Sequence, residues 1–280
     1  MTKTVNKFVF FGTPQVASDT LSTLLEHGYT PSLVVTAPDA PRGRGLVLTP
    51  SPVKELAIAH DLPCVTPERL DDCAIAAIAA TQCTYGICVA YGKIFPEALI
   101  DTFTLGVLNV HYSLLPRHRG ATPLEAALLA GDAVTGVTVQ KMVKALDAGD
   151  VIAQREISIG EEETARDLRP RLIALGASLL VDTLPNYLDG TANAVAQDAT
   201  RATHSGKLKK EDGLLDLDAP ACENWNKYRA YADTIGTYVL QDGKRIKIVT
   251  ASLTNGKFVI GRVVPEGKRE MDYHDVVSRR

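Results

Sequence analysis

The sequence predicts an α/β fold: a doubly wound, mostly parallel sheet with helices on both faces, followed by a small all-β barrel. Two observations carry this. Short apolar runs alternate with segments of helical spacing through the first part of the chain. Toward the end, short strand candidates are separated by Asp-Gly, Asn-Gly and Glu-Gly turns. A length of 280 residues, with 45% hydrophobic and 22% charged residues, suits one large and one small soluble domain. The expected division is a first domain over residues 1–188, a linker over 189–205 and a second domain over 206–280.

Each element has a local reason. Phe8-Val-Phe-Phe-Gly12-Thr-Pro14 is an apolar run stopped by Gly and Pro, and Gln15 to His27 then carries Val16, Leu21, Leu24 and Leu25 at helical spacing. The unit recurs as a strand over 32–35, a helix over 53–60, a short strand over 64–65, a helix over 73–80 and strands over 84–90 and 107–110. Two further strands are expected over 136–140 and 151–157. Residues 165–187 form a long amphipathic helix with Leu168, Leu172, Leu175 and Leu179 on one stripe. From Asp189 to Ser205, Gly, Thr, Ala and Asn appear without a firm period, which reads as a linker. Beyond it, strands are expected over 238–240, 245–251, 257–264 and 270–273. The alternation is Rossmann-like.

Several function classes drop out. There is no GxxxxGK[ST] and no GxGxxG, so neither a P-loop nor a dinucleotide fingerprint is present. The five cysteines include no CxxC, so they read as small hydrophobes in a reducing compartment, with no metal knuckle. No apolar run reaches the roughly 18 residues of a membrane span, and the N-terminus does not read as a signal peptide, so a cytoplasmic protein is expected. The formal net charge is −3, yet residues 201–280 carry 15 Lys and Arg against 11 Asp and Glu. That asymmetry hints at a polyanion surface on the C-terminal part.

The chemistry concentrates between Asn109 and Pro123, Asn-Val-His-Tyr-Ser-Leu-Leu-Pro-Arg-His-Arg-Gly-Ala-Thr-Pro, and in Leu-Asp-Ala-Gly-Asp at 146–150. Asn109 and His111 are two residues apart at the end of an apolar run, so on a strand both side chains share a face, at the carboxyl edge where open α/β sheets place ligands. Asn109 offers a donor to an oxyanion, although an Asn closing a turn looks the same. His111 suits proton handling or oxyanion stabilisation; a lone His more often satisfies backbone groups. Asp147 either orients His111 or forms a turn. Ser113, Leu114, Leu115 and Pro116 form a short rigid segment, either core or the wall of a pocket for a flat aromatic ligand. Arg42 and Arg44 lie in a Gly/Pro-rich loop without core residues, and either grip phosphates or solubilise.

On these residues the chain resembles the methionyl-tRNA formyltransferase family of 10-formyltetrahydrofolate-dependent enzymes. The matching pieces are Phe11-Gly-Thr-Pro14, Pro38-Asp39 with the Arg-Gly-Arg loop, Ser51-Pro-Val-Lys54, Tyr91-Gly92 and Asn109-Val-His111-Tyr-Ser-Leu-Leu-Pro116. They continue through Arg119-Gly-Ala-Thr-Pro123, Gly131-Asp132, Thr135-Gly-Val-Thr138 and Leu146-Asp-Ala-Gly-Asp150. The resemblance implies that Asn109, His111 and Asp147 are catalytic and that Ser113 to Pro116 belong to the folate site. It further implies that Arg42 and Arg44 insert at the acceptor stem of initiator methionyl-tRNA, and that an OB-like C-terminal barrel, with Lys207 in a Gly-Lys-Leu-Lys-Lys run, binds the tRNA. The implied enzyme uses 10-formyltetrahydrofolate as co-substrate without a metal, and nothing demands more than a monomer. The chain departs from the family pattern at Val16, where an aromatic is usual, and over 205–280, where the match thins and the barrel is expected to be shortened. The alternatives are a formyltransferase acting on an amino sugar or other small amine, and a non-catalytic folate- or tRNA-binding homologue.

Overall fold

The computed structural model describes residues 7–278, apart from Arg44. Strand β1 (Phe8–Gly12) is buried at every position, as a strand covered on both faces must be. Gly12 ends it in a turn with no room for a side chain, since a Cβ there would lie 2.6 Å from that of Ala17. Helix α1 (Gln15–Glu26) starts directly after Pro14, and β2 (Leu33–Val35) pairs parallel to β1. The chain continues through β3 (Ala40–Arg42), β4 (Val47–Thr49), α2 (Pro52–Ala59), β5 (Cys64–Val65) and α3 (Asp72–Ala79). Next come β6 (Tyr85–Val89), α4 (Glu97–Ile100), β7 (Gly106–His111), β8 (Arg119–Gly120) and α5 (Pro123–Leu129), then β9 (Val134–Lys141), β10 (Val151–Ser158) and α6 (Ala165–Leu188).

Seven of these strands form one sheet in the order β10-β9-β7-β6-β1-β2-β5. The pairs from β7 through β6 and β1 to β2 and β5 are all parallel, whereas β7 and β9 run antiparallel. The sheet is therefore mostly parallel, as the βα alternation predicts, with an antiparallel junction between β7 and β9. That junction carries the residues of interest.

The chain divides into two compact units, one comprising residues up to Arg119, Gly136–Arg155 and Leu172–Ala202, the other Gly120–Thr135, Glu156–Arg171 and Thr203 onward. In the first, Phe11 packs edge-on against Tyr91, Phe95 and Phe103. The basic segment read as a loop holds a hairpin, β3 paired with β4. Its base is closed by a 2.6 Å hydrogen bond between the Thr36 and Ser51 hydroxyls and by Lys54 Nζ donating to Asp39 at 2.7 Å. Leu46, Val47 and Leu48 stand exposed toward its tip, which is why no buried periodicity announces the hairpin.

The second unit contains β11 (His204–Ser205), α7 (Ala221–Tyr231) and the strands β12 (Thr237–Gln241), β13 (Lys244–Ile248), β14 (Ala251–Thr254), β15 (Lys257–Ile260), β16 (Arg262–Pro265) and β17 (Met271–Asp272), ending in α8 (Tyr273–Val277). The expected small barrel is not closed among the described residues. They give a four-stranded antiparallel sheet, β12-β13-β16-β17, and a separate hairpin of β14 and β15. The segment expected as one strand over 257–264 breaks at Gly261. Its N–H donates to the Thr250 carbonyl, and a Cβ would lie 2.7 Å from the Thr250 hydroxyl. Helix α7 fills the remaining volume, with Trp225 and Tyr228 stacked at 5.6 Å over a core of Leu215, Val239, Ile246, Ile248 and Val263.

Candidate active site

The register of the antiparallel junction builds the site. On β7, Asn109 lies opposite Gln140 of β9, and His111 lies opposite Thr138. Lateral partners in a sheet share a face, so the spacing of two that aligns Asn109 with His111 also aligns Gln140 with Thr138. Four polar side chains thus converge at the end of a strand otherwise made of Gly, Val and Leu.

His111 is buried, and its Nε2–H donates to the carbonyl of His118 at 3.0 Å. With that proton committed, Nδ1 carries the lone pair of the neutral ring, and it faces Asp147 Oδ1 across 3.6 Å. Burial lowers the pKa of His111 below its ordinary value, and the Asp147 carboxylate and the His118 carbonyl oppose the shift in part. Two acceptors therefore look at each other over a gap that one proton would fill.

Asp147 reaches this position because the loop after β9 doubles back. Its own φ is +49°, a left-handed conformation that short polar residues tolerate best. Two residues later, Gly149 passes so close to β9 that a Cβ would lie 1.7 Å from the Lys141 carbonyl oxygen. The loop closes with Lys141 N–H donating to the Asp150 carbonyl at 2.9 Å. The carboxylate is then gripped by the Gln140 side-chain amide, which donates to Oδ1 at 2.9 Å.

Thr138 organises the second segment. Its hydroxyl donates to the Ser113 carbonyl at 2.7 Å and accepts from the Leu115 N–H at 3.1 Å and from the Gln154 amide at 2.8 Å. Gln154 also donates to the Leu115 carbonyl, and the Ser113 hydroxyl donates to the Arg117 carbonyl. The peptide between Leu115 and Pro116 is cis. Ser113 and Leu115 are buried, whereas Leu114 and Pro116 are partly exposed. The segment thus alternates buried and partly exposed side chains over a backbone largely committed to Thr138 and Gln154.

Cys88 lies beside Asn109 in the sheet. Burial, with a further push from the Asp147 charge, drives its thiol up to about 12, so it is a neutral neighbour and not a thiolate nucleophile. Among the described residues no cluster of His, Cys, Asp and Glu has the makings of a metal site, and no helix is long and apolar enough to cross a membrane.

Arg42 is described through its backbone, at the end of β3, and Arg44 lies outside the described residues. Lys207 is exposed in the second unit, between β11 and the 3₁₀ turn over Lys210–Gly213.

Residues 6–184 match the family described as formyl transferase, and residues 207–272 match the formyl transferase C-terminal domain. The chain is 39% identical over 263 residues to the methionyl-tRNA formyltransferase of Pseudomonas entomophila, covering 94% of this chain and 85% of that one. The chain belongs to the methionyl-tRNA formyltransferase family. The enzyme of the same name from Chloroflexus aggregans is 40% identical over 248 residues, covering 88% of this chain and 80% of its relative. Among solved structures, a methionyl-tRNA formyltransferase from Clostridium thermocellum superposes with a TM-score of 0.62 at 15% identity, covering 93% of this chain and 99% of that one. An N-formyltransferase from Helicobacter canadensis, in complex with folinic acid and dTDP-3-aminofucose, gives 0.69 at 19%, covering 89% and 88%. These two likenesses show the fold.

Two side chains at the site were not anticipated. Gln140 reads in the sequence only as the end of a strand, and Gln197 lies within the segment read as a linker. The Gln197 amide nevertheless donates to the carbonyls of Asp147 at 2.9 Å and Gly149 at 2.6 Å, while its oxygen accepts from Arg119 at 2.7 and 3.1 Å. The register opposite Asn109 marks Gln140 once β9 is known; nothing local marks Gln197.

Proposed function

We propose that this chain transfers a formyl group from 10-formyltetrahydrofolate to the α-amine of the methionyl group on initiator tRNA. The observation that carries the reading is the convergence of an amide, a neutral imidazole and a carboxylate, Asn109, His111 and Asp147, at one strand end. The donor set suits an acyl transfer, because it combines a neutral hydrogen-bond donor for an oxyanion with a pair of acceptors that has room for one proton. When bound, the folate co-substrate supplies the formyl carbon; amine attack and departure of the folate nitrogen leave formyl-methionyl-tRNA and tetrahydrofolate.

Asn109 directs its amide at the developing oxyanion. His111, with Nε2–H held by the His118 carbonyl, presents Nδ1 as the base. The proton leaving the amine passes to the Nδ1–Asp147 pair, and from there to the departing folate nitrogen as the tetrahedral intermediate collapses. The depressed pKa of His111 keeps the ring unprotonated at neutral pH, as a base must be before the reaction. Ser113 to Pro116 wall the folate, with Leu114 and Pro116 toward it.

In the same reading Arg42, Arg44 and Lys207 contact tRNA phosphates, residues 206–280 serve as an OB-like tRNA-binding domain joined by the linker over 189–205 to the catalytic domain over 1–188, and the protein works as a cytoplasmic monomer. The deciding experiment is transfer of labelled formyl from 10-formyltetrahydrofolate to charged initiator methionyl-tRNA, beside uncharged tRNA, free methionine and a nucleotide-linked amino sugar. Label on the charged tRNA alone is expected. Label on the sugar with none on the tRNA would overturn the acceptor, and no transfer to any amine would overturn the reaction.

A further inference from the structure

Asp147 sits on a loop with a left-handed φ, 3.6 Å from the base it is meant to serve, and its neighbours explain how it stays there. Gln140 is almost fully buried, and its amide donates to Oδ1 of the carboxylate. Gln197 grips the main chain of the same loop from outside, at the carbonyls of Asp147 and Gly149, and also approaches the Gln140 oxygen at 3.5 Å. Arg119, two donors deep on the Gln197 oxygen, holds that amide in the orientation in which its N–H₂ faces the loop. A free glutamine in this position could flip; one clamped by a guanidinium cannot without losing two charge-assisted hydrogen bonds.

We propose that Gln140 and Gln197 are positioning residues for formyl transfer, acting through Asp147: Gln140 aims the carboxylate at His111 Nδ1, and Gln197, locked by Arg119, fixes the loop that carries it. The proposal rests on the reading of Asp147 given above. Neither glutamine touches the reacting atoms. Each instead removes a freedom, Gln140 the rotation of the carboxylate and Gln197 the drift of the loop, and a displacement of about 1 Å in such a site lowers the rate about 10²-fold. Because that loss is a loss of aim, it falls on kcat rather than on substrate affinity.

The test is a cycle of single-turnover and steady-state measurements on the full chain, using charged initiator methionyl-tRNA and 10-formyltetrahydrofolate, with Gln140→Leu, Gln197→Leu, Asp147→Asn and the two Gln/Asp double variants. Each glutamine variant is expected to lower kcat by about 10- to 100-fold with KM for both substrates near wild type. In the Asp147→Asn background neither should cost anything further, because the group it aims is already gone. A purely structural role would give the same loss in both backgrounds. Additive losses, a change confined to KM, or wild-type kcat in a folded glutamine variant would overturn the proposal while leaving Asp147 in place. Wild-type activity in Asp147→Asn would instead overturn the reading beneath it. If Gln140→Leu does not fold, Gln197→Leu and Gln140→Met, which keeps the length of the side chain but has no donor, decide the question by the same criterion.

Discussion

Replacing Gly149 with Ala tests the claim that the site is held by backbone geometry as much as by its named side chains. The added methyl would lie 1.7 Å from the Lys141 carbonyl oxygen, and this obstacle is backbone that is itself part of β9. The chain must part by about 1.3 Å before the contact reaches even 3.0 Å. Two hydrogen bonds lie across that opening: Lys141 N–H to the Asp150 carbonyl, and the Gln197 amide to the Gly149 carbonyl. Asp147, two residues away, moves with the loop, and the gap to His111 is only 3.6 Å. A displacement near 1 Å costs about 10²-fold in rate, and the two lost hydrogen bonds cost about 1–3 kcal/mol in stability. The assay is kcat and KM for formyl transfer beside thermal unfolding. A folded Gly149→Ala variant with kcat within about threefold of wild type would refute the reasoning.

Further outcomes follow from the same geometry. Asn109→Ala should lower kcat by about 10²- to 10³-fold with little change in KM, as expected for an oxyanion donor, and a change in KM alone would assign it to binding. Thr138→Val keeps the shape but strands the Leu115 N–H and takes one of two acceptors from the Gln154 amide, so unfolding free energy should drop by about 1–3 kcal/mol and KM for the folate should rise; unchanged values in both would remove Thr138 from the wall. His111 has a folded pKa below its ordinary 6.5, so in that window the unfolded chain binds more protons. Its contribution to stability is therefore complete above 6.5 and is lost as pH falls toward the folded value, with a slope approaching about 1.4 kcal/mol per pH unit. The difference in unfolding free energy between wild type and His111→Gln should show that slope in denaturant titrations, and a difference that stays flat from neutral pH into acid would contradict the assignment. Binding of methionyl-tRNA should weaken steeply with salt, with Lys207→Ala reducing the log–log slope by about one; an unchanged slope would remove that lysine from the interface.

What the sequence reveals is set by how far each feature depends on its own neighbourhood. Strands β1, β6 and β7 are legible because burial on both faces leaves no choice but an unbroken apolar run, and Gly12-Thr-Pro14 ends the first of them visibly. The hairpin of β3 and β4 is invisible because its apolar residues, Leu46 to Leu48, face outward. Helix α7 escapes for a related reason: its buried face includes Asn224 and Arg229 beside Trp225 and Tyr228, so no apolar stripe distinguishes it. Arg229 donates through its terminal nitrogens to the carbonyls of Gly160 and Glu163 and to the Asn226 side chain, and the indole of Trp225 donates to the Glu161 carbonyl. A polar face buried by such partners has no periodic signature.

The site divides the same way. Asn109 and His111 are legible as a pair because strand geometry converts a spacing of two into a shared face. Asp147 stands 36 positions beyond His111 in the chain, and the sequence leaves it open between a turn former and a partner of His111, since no local rule says that a loop will fold back over β9. Gln197 is harder still: its role depends on Arg119, 78 residues earlier, and on carbonyls about 50 residues earlier. Yet the direction of these bonds matters for the chemistry. The carboxylate accepts from Gln140 at its side chain, while the backbone beneath it accepts from Gln197, so the loop is fixed through donors that bring no net charge of their own to Asp147. A lysine or arginine in the place of Gln140 would hold Asp147 as firmly, but its positive charge would compete with the proton that His111 and Asp147 must share. Neutral amides fix the position and leave that proton to the imidazole, which is the combination a base waiting beside an amine requires.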